Sequence, residues 1–225
     1  IEVHTVLGAG GRTEGFACAY TYTVYGSGDV VVDTHLAPVG YRGFGPVYEP
    51  ASAENMPPLP RVGLTLALPG AYDTFTWYGR GPFETYVDRK GAAPVGVYSG
   101  TVDEQYVPYI TPQENGNKVD VRWVALTNAQ GRGLLAVGSP SLSVSAYHYS
   151  KDDIEAADYS FKLAPRPEVY LNLDFKQMGV GGVDSWSQNA FPLPAYRIPS
   201  GQPYTYRYRL TPVAGDFEAK AREAF

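Results

Sequence analysis

The chain has 225 residues, with 18 Lys and Arg against 23 Asp and Glu and a formal charge of −5. That balance argues against nucleic acid as a partner, because nothing gathers positive charge for a phosphate backbone, and no apolar run approaches the roughly 20 residues that span a bilayer. Hydrophobic residues make up 44%, enough to exclude global disorder, and the lone cysteine, Cys18, excludes an internal disulfide framework and suits a reducing compartment.

Gly (25) and Pro (19) are dispersed among short apolar runs, a pattern of many turns joining short strands. Tyr is enriched at 19 residues. It favours strands and offers a flat face with a polar tip, and ordinary strand residues are the reading preferred over a sugar-binding surface. The chain starts at Ile1 rather than Met, which suggests a fragment or a processed chain.

Taken in order, residues 16–25 and 30–35 flank a tight turn at Gly26, Ser27, Gly28 and Asp29, and predict a β-hairpin. Residues 46–60 are Pro-rich and read as a surface loop. Val62, Leu64, Leu66 and Leu68 share one face of a strand. Residues 121–127 and 134–137 flank a Gly-rich turn and predict a second hairpin. Ser150 is placed to cap a short helix through Ala157. Val169, Leu171, Leu173 and Phe175 alternate with Tyr170, Asn172 and Asp174. Tyr204, Tyr206, Tyr208 and Leu210 repeat the period of two. Asp216 could cap a helix over 217–225. With no internal repeat and no linker, the chain reads as one all-β domain over 1–213 followed by a short helix or tail over 214–225.

Candidate chemistry is sparse. His4, His35 and His148 lie far apart and show no metal-binding spacing. Gly79, Arg80, Gly81 and Pro82 lack the features of a phosphate cradle. Two carboxylate pairs, Glu84 with Asp88 and Asp103 with Glu104, are considered because glycoside hydrolysis needs two facing acids; solvated surface acids are the commoner reading. The sharper cluster is Met178-Gly179-Val180-Gly181-Gly182-Val183-Asp184-Ser185-Trp186-Ser187. A glycine-rich loop reaches unusual backbone angles, Asp184 and Ser185 can fix its shape, and Trp186 then presents a flat apolar face to the C–H face of a sugar. A Trp folded back into the core is the equal alternative.

Five segments carry a resemblance to a known family. They are 59–63, 77–89, 109–116, 121–123 and 178–186. In that order they resemble the C-terminal domain of the β-galactosidases of glycoside hydrolase family 2, over about residues 20 to 212. The resemblance implies an antiparallel super-sandwich of the galactose mutarotase-like type. The family's domain begins before the segment matching residues 1–24, so the first strands are expected to be absent here or supplied by another segment. It also implies a non-catalytic domain. Catalytic glutamates, magnesium and sodium belong to a central (β/α)₈ barrel of the same polypeptide, so no catalytic residue, metal or cofactor is expected in this chain. The implied partners are that barrel and a terminal β-D-galactoside such as lactose, within a homo-oligomeric parent enzyme. Trp186 matches the tryptophan that contacts the sugar and is the single site residue carried over.

The other motif residues receive structural readings. Asp88 and Arg89 form an ion pair, Glu114 and Asn115 lock a loop, Gly116 takes a left-handed turn, and Trp77 and Trp123 pack a core. Two alternatives remain: a free-standing mutarotase-like epimerase using His148 with Glu155 or Glu168, and a carbohydrate-binding module.

Overall fold

The computed structural model describes residues 1–8, 14–41, 48–50, 56–182, 190–215 and 217–223. Eleven strands form one antiparallel system: β1 (Glu2–Gly8), β2 (Glu14–Val24), β3 (Val30–Tyr41), β4 (Tyr48–Pro50), β5 (Arg61–Pro69), β6 (Thr74–Arg80), β7 (Val95–Thr101), β8 (Lys118–Thr127), β9 (Arg132–Tyr147), β10 (Glu168–Gln177) and β11 (Tyr204–Ala214). Three short helices, α1 (Val102–Gln105), α2 (Lys151–Ala156) and α3 (Phe217–Ala221), lie between or after them.

The strands pair in the order β1-β2-β3-β11-β9-β8-β6-β7, with β10 bridging β9 and β5. The branch falls in β9. Its first half pairs with β11 from Arg132 to Ser139, and its second half pairs with β10 from Ser143 to Tyr147. One long strand thus feeds two sheet continuations, and the apolar faces of β6, β8, β9 and β10 close on each other. That core holds Phe75, Trp77, Val121, Val124, Leu126, Val144, Leu171 and Leu173, with Leu64, Leu66 and Leu68 packed against it. A second cluster joins Val32, Val62, Tyr204, Tyr206 and Tyr208.

The expected β2–β3 hairpin forms. Its turn uses Gly28 at φ 91°, a left-handed conformation that glycine reaches without Cβ strain, and Tyr25 N–H donates to the Asp29 carbonyl at 2.9 Å. The period of two in β5, β10 and β11 is also present, because one face of each meets the core. In β10 the opposite face is buried as well: Asn172 and Asp174 are 1% and 2% exposed. Both are held by side-chain partners: Asn172 bonds Thr65 and Ser145, and Asp174 accepts from Arg61.

The Pro-rich stretch expected to be loop contains β4. It pairs with Val39, Gly40 and Tyr41 of β3. β11 occupies that flank of β3 only as far as Leu36, so the ladder groups beyond it are open to a short strand. Pro50 sits at the end of that strand, where its missing N–H removes little. Ser150 caps α2 as expected, in a capping box with Asp153. α1 has the same device, Thr101 with Glu104; the spacing was readable in the sequence.

Trp77 is 1% exposed and donates its indole N–H to the Arg80 carbonyl at 3.0 Å. Trp123 lies on the other face of β8, among Ala125, Leu135 and Val137, and meets Phe217 of α3 at 5.7 Å between ring centroids. α3 therefore covers an apolar strip that the core does not use.

Candidate functional site

Four of the five motif segments meet at one place, although they are dispersed along the chain. The base is an ionic network. Arg61, at the start of β5, donates through Nε to Asp174 of β10 at 2.9 Å and through Nη1 to Glu114 at 3.0 Å. Antiparallel pairing of β5 with β10 brings Arg61 and Asp174 together, with a register shift between Asp174 and Lys176. Burial pushes the Asp174 and Glu114 carboxyls upward, and Arg61 opposes this in both. Burial also works against the Arg61 charge, but the two carboxylates hold the guanidinium above its ordinary range. Tyr86 and Tyr147, both buried beside this network, are raised by burial and by Glu114.

A tight turn supplies the second layer. Tyr86 and Arg89 exchange backbone hydrogen bonds, at 2.8 Å for Arg89 N–H to the Tyr86 carbonyl. Just before it, Glu84 accepts from Gly116 N–H at 2.8 Å and from the Tyr109 hydroxyl. The 109–116 segment is thereby tied to the turn. Gly116 takes φ 64°, as expected, and Asn115 locks the segment by accepting from Val107 N–H at 3.0 Å and donating to the Gln113 carbonyl at 2.9 Å. The expected Asp88–Arg89 ion pair does not form. The turn sends the neighbouring side chains to different partners: Arg89 reaches Glu84 at 3.7 Å and lies over the Tyr86 ring.

Asp88 instead holds the glycine-rich segment. It accepts from Val180 N–H at 3.2 Å and from Gly181 N–H at 2.8 Å. The flanking amides are also engaged. Met178 donates to the Pro60 carbonyl at 2.9 Å, Gly179 to Tyr196 at 3.0 Å, and Gly182 to Ala190 at 2.9 Å. Five consecutive N–H groups are thus held by four separate parts of the chain. Gly181 and Gly182 adopt φ 71° and 92°, the unusual angles expected of this loop. A Cβ on Gly179 would collide with the Asp88 carboxylate, and one on Gly181 with the Ala190 carbonyl.

Beside this segment opens a cleft of about 600 Å³, lined by Arg61, Arg89, Tyr109, Gln113, Glu114 and Gln177 and by the backbone of 178–182. With Phe191 also on its wall, it combines two aromatic rings, two guanidiniums, a carboxylate and two amides, a set suited to polyhydroxylated molecules. Trp186 lies outside the described residues, as do Asp184 and Ser185. What is described is the neck from which that segment departs at Gly182 and to which it returns at Ala190.

The other candidates stay apart. His148 contacts the Glu168 backbone carbonyl at 3.2 Å and the Asp73 carboxylate at 3.4 Å, so it faces no Glu168 carboxylate. Glu104 serves the α1 cap. The 121–123 segment is divided: Val121 lies in the main core, and Trp123 lies on the opposite face of β8, beside Phe217 of α3. Among the described residues no three His, Cys, Asp or Glu gather as metal ligands. Asp174, Tyr147 and Gln177 lie outside the five segments and were missed as members of this site; Arg61 and Tyr86 lie inside them but were given no role. The alternation in β10 placed Asp174 on the outward face, and no local pattern links it to Arg61.

Residues 2–210 match a family model described as beta galactosidase small chain. The chain is 40% identical over 197 residues to a beta-galactosidase of Priestia megaterium, covering 88% of this chain and 18% of that protein. It is 46% identical over 157 residues to a beta-galactosidase of Vibrio cholerae, covering 70% of this chain and 14% of that protein. The chain therefore spans less than a fifth of the length of these curated relatives. Among solved structures, a GalM/aldose epimerase homologue from C. elegans aligns with TM-score 0.38 and 10% identity, over 95% of this chain and 69% of that one.

Proposed function

The chain belongs to the β-galactosidase small-chain family, and from that premise we propose that it is the non-catalytic C-terminal domain of a β-galactosidase acting on terminal β-D-galactosides such as lactose. In this reading it packs on the catalytic barrel of the same polypeptide and contributes Trp186 to the sugar pocket. Magnesium and sodium, with the catalytic glutamates, belong to the other domains of the homo-oligomeric parent.

The observation that carries the reading is the neck. A backbone segment whose five amides are each held from outside is a rigid mount, and it stands beside a cleft with polar and aromatic walls. A mount of this kind suits a contact residue that must reach a neighbouring domain, since pre-organisation spares the entropy of ordering it on binding. The described carboxylates around the cleft each have a structural partner. Glu84 ties a loop, Asp88 holds the neck, and Glu114 and Asp174 neutralise Arg61.

The test is Trp186→Ala in the full-length enzyme. A stacking contact is worth about 0.5–1.5 kcal/mol, so KM and the inhibition constant of a galactose analogue should rise roughly two- to twelve-fold. Unchanged values of both would sink the proposal.

A further inference from the structure

We infer that Asp88 is a positioning residue for the sugar-contacting segment, acting through the backbone of the neck and not on the sugar itself. The inference rests on the reading of Trp186 given above and extends it to a second residue.

The segment after Gly182 has two ends, and both are located. The outgoing end is fixed where Val180 and Gly181 donate to the two oxygens of Asp88. The returning end is tied to the outgoing one by Gly182 N–H to the Ala190 carbonyl at 2.9 Å. Asp88 sits on the turn closed by Tyr86 and Arg89, and that turn is anchored in turn by Thr85 N–H to Asn117 and by Asn117 Nδ2 to Thr85. The carboxylate therefore transmits the position of a buried part of the fold to the neck. Gly179 is packed so closely on it that no side chain fits between them. The other neck contacts use backbone carbonyls; Asp88 alone among these partners is a side chain, so it is the one whose loss leaves the strands in place while releasing two adjacent donors. Two N–H groups shared by one carboxylate make charge-assisted bonds, stronger than neutral ones. Misplacement of a contact group by about an ångström is enough to lose much of its effect.

The experiment is a cycle in the full-length β-galactosidase with a nitrophenyl galactoside. Asp88→Ala should raise KM about ten-fold with kcat within about two-fold, and Asp88→Asn, which keeps one acceptor oxygen, should fall between it and the unaltered enzyme. Combined with Trp186→Ala, Asp88→Ala should add no further rise in KM, because both act through the same contact. A merely structural role would lower melting temperature and folded fraction while leaving KM alone. If Trp186→Ala raises KM but Asp88→Ala does not, or if the two effects multiply, the positioning role is overturned and the reading of Trp186 stands. If Trp186→Ala itself leaves KM and inhibitor affinity unchanged, the underlying reading fails. Should Asp88→Ala not fold, Asp88→Asn is compared in the same cycle against the same outcomes.

Discussion

Lys118 shows how burial is resolved at a single residue. It is 1% exposed, donates to the Gly116 carbonyl at 3.0 Å, and lies 5.1 Å from the Trp77 ring centre. Burial pushes its ammonium down to about 8, with the Glu84 charge opposing the shift. The unfolded chain keeps this proton to a higher pH than the folded one does. Between about pH 8 and pH 10.5 the unfolded state therefore binds more protons, and folding stability rises with pH through that window. Below about pH 8 the destabilisation is present in full, about 3 kcal/mol. Lys118→Met should remove this rise. Urea unfolding at pH 7, 8, 9 and 10 checks it, and a variant that keeps the same slope as the unaltered protein would refute the assignment. The residue gave no hint of this in the sequence, where it precedes the run 121–127 read as a strand.

At the scale of elements, the neck depends on glycines for different reasons. Gly181 and Gly182 both hold left-handed angles, but among the described residues only a Cβ at Gly181 meets a neighbour, at the Ala190 carbonyl. Gly182→Ala should cost about 1–2 kcal/mol for the backbone conformation alone. Gly181→Ala should cost clearly more, because it also drives apart the two ends of the segment. Denaturant midpoints of the two variants test the ranking, and equal values would show that the ends are not held as described. The glycines were legible as loop formers; their ordering was not, since it depends on Ala190, across the segment. The strands themselves were legible wherever one face is apolar and the next residue polar, as in β5 and β11. β10 was read correctly as a strand but not as one buried on both sides, because its outward polar residues are paid for by partners on β5 and β9.

At the scale of the whole chain, the described carboxylates around the cleft, Glu84, Asp88, Glu114 and Asp174, are each committed to holding structure. The isolated chain should therefore show no turnover of a nitrophenyl galactoside. Turnover by the pure chain that is abolished by Glu84→Gln or Asp88→Asn would overturn its assignment as a non-catalytic domain. Calorimetry with galactose and lactose separates this from a carbohydrate-binding module, which would bind measurably alone, and polarimetry on freshly dissolved galactose separates it from an epimerase.

The sequence alone determined the all-β class, the hairpin of β2 and β3, the α2 cap, the left-handed Gly116 and the family, because each is written in neighbouring residues or in contiguous motifs. Only the tertiary structure decided which motifs share a place. Arg61 and Asp174 are 113 residues apart, and Asp88 and Gly181 are 93 apart. Such pairs leave no periodic signature, because strand pairing across the fold, not spacing along the chain, brings their charges and amides within hydrogen-bonding reach.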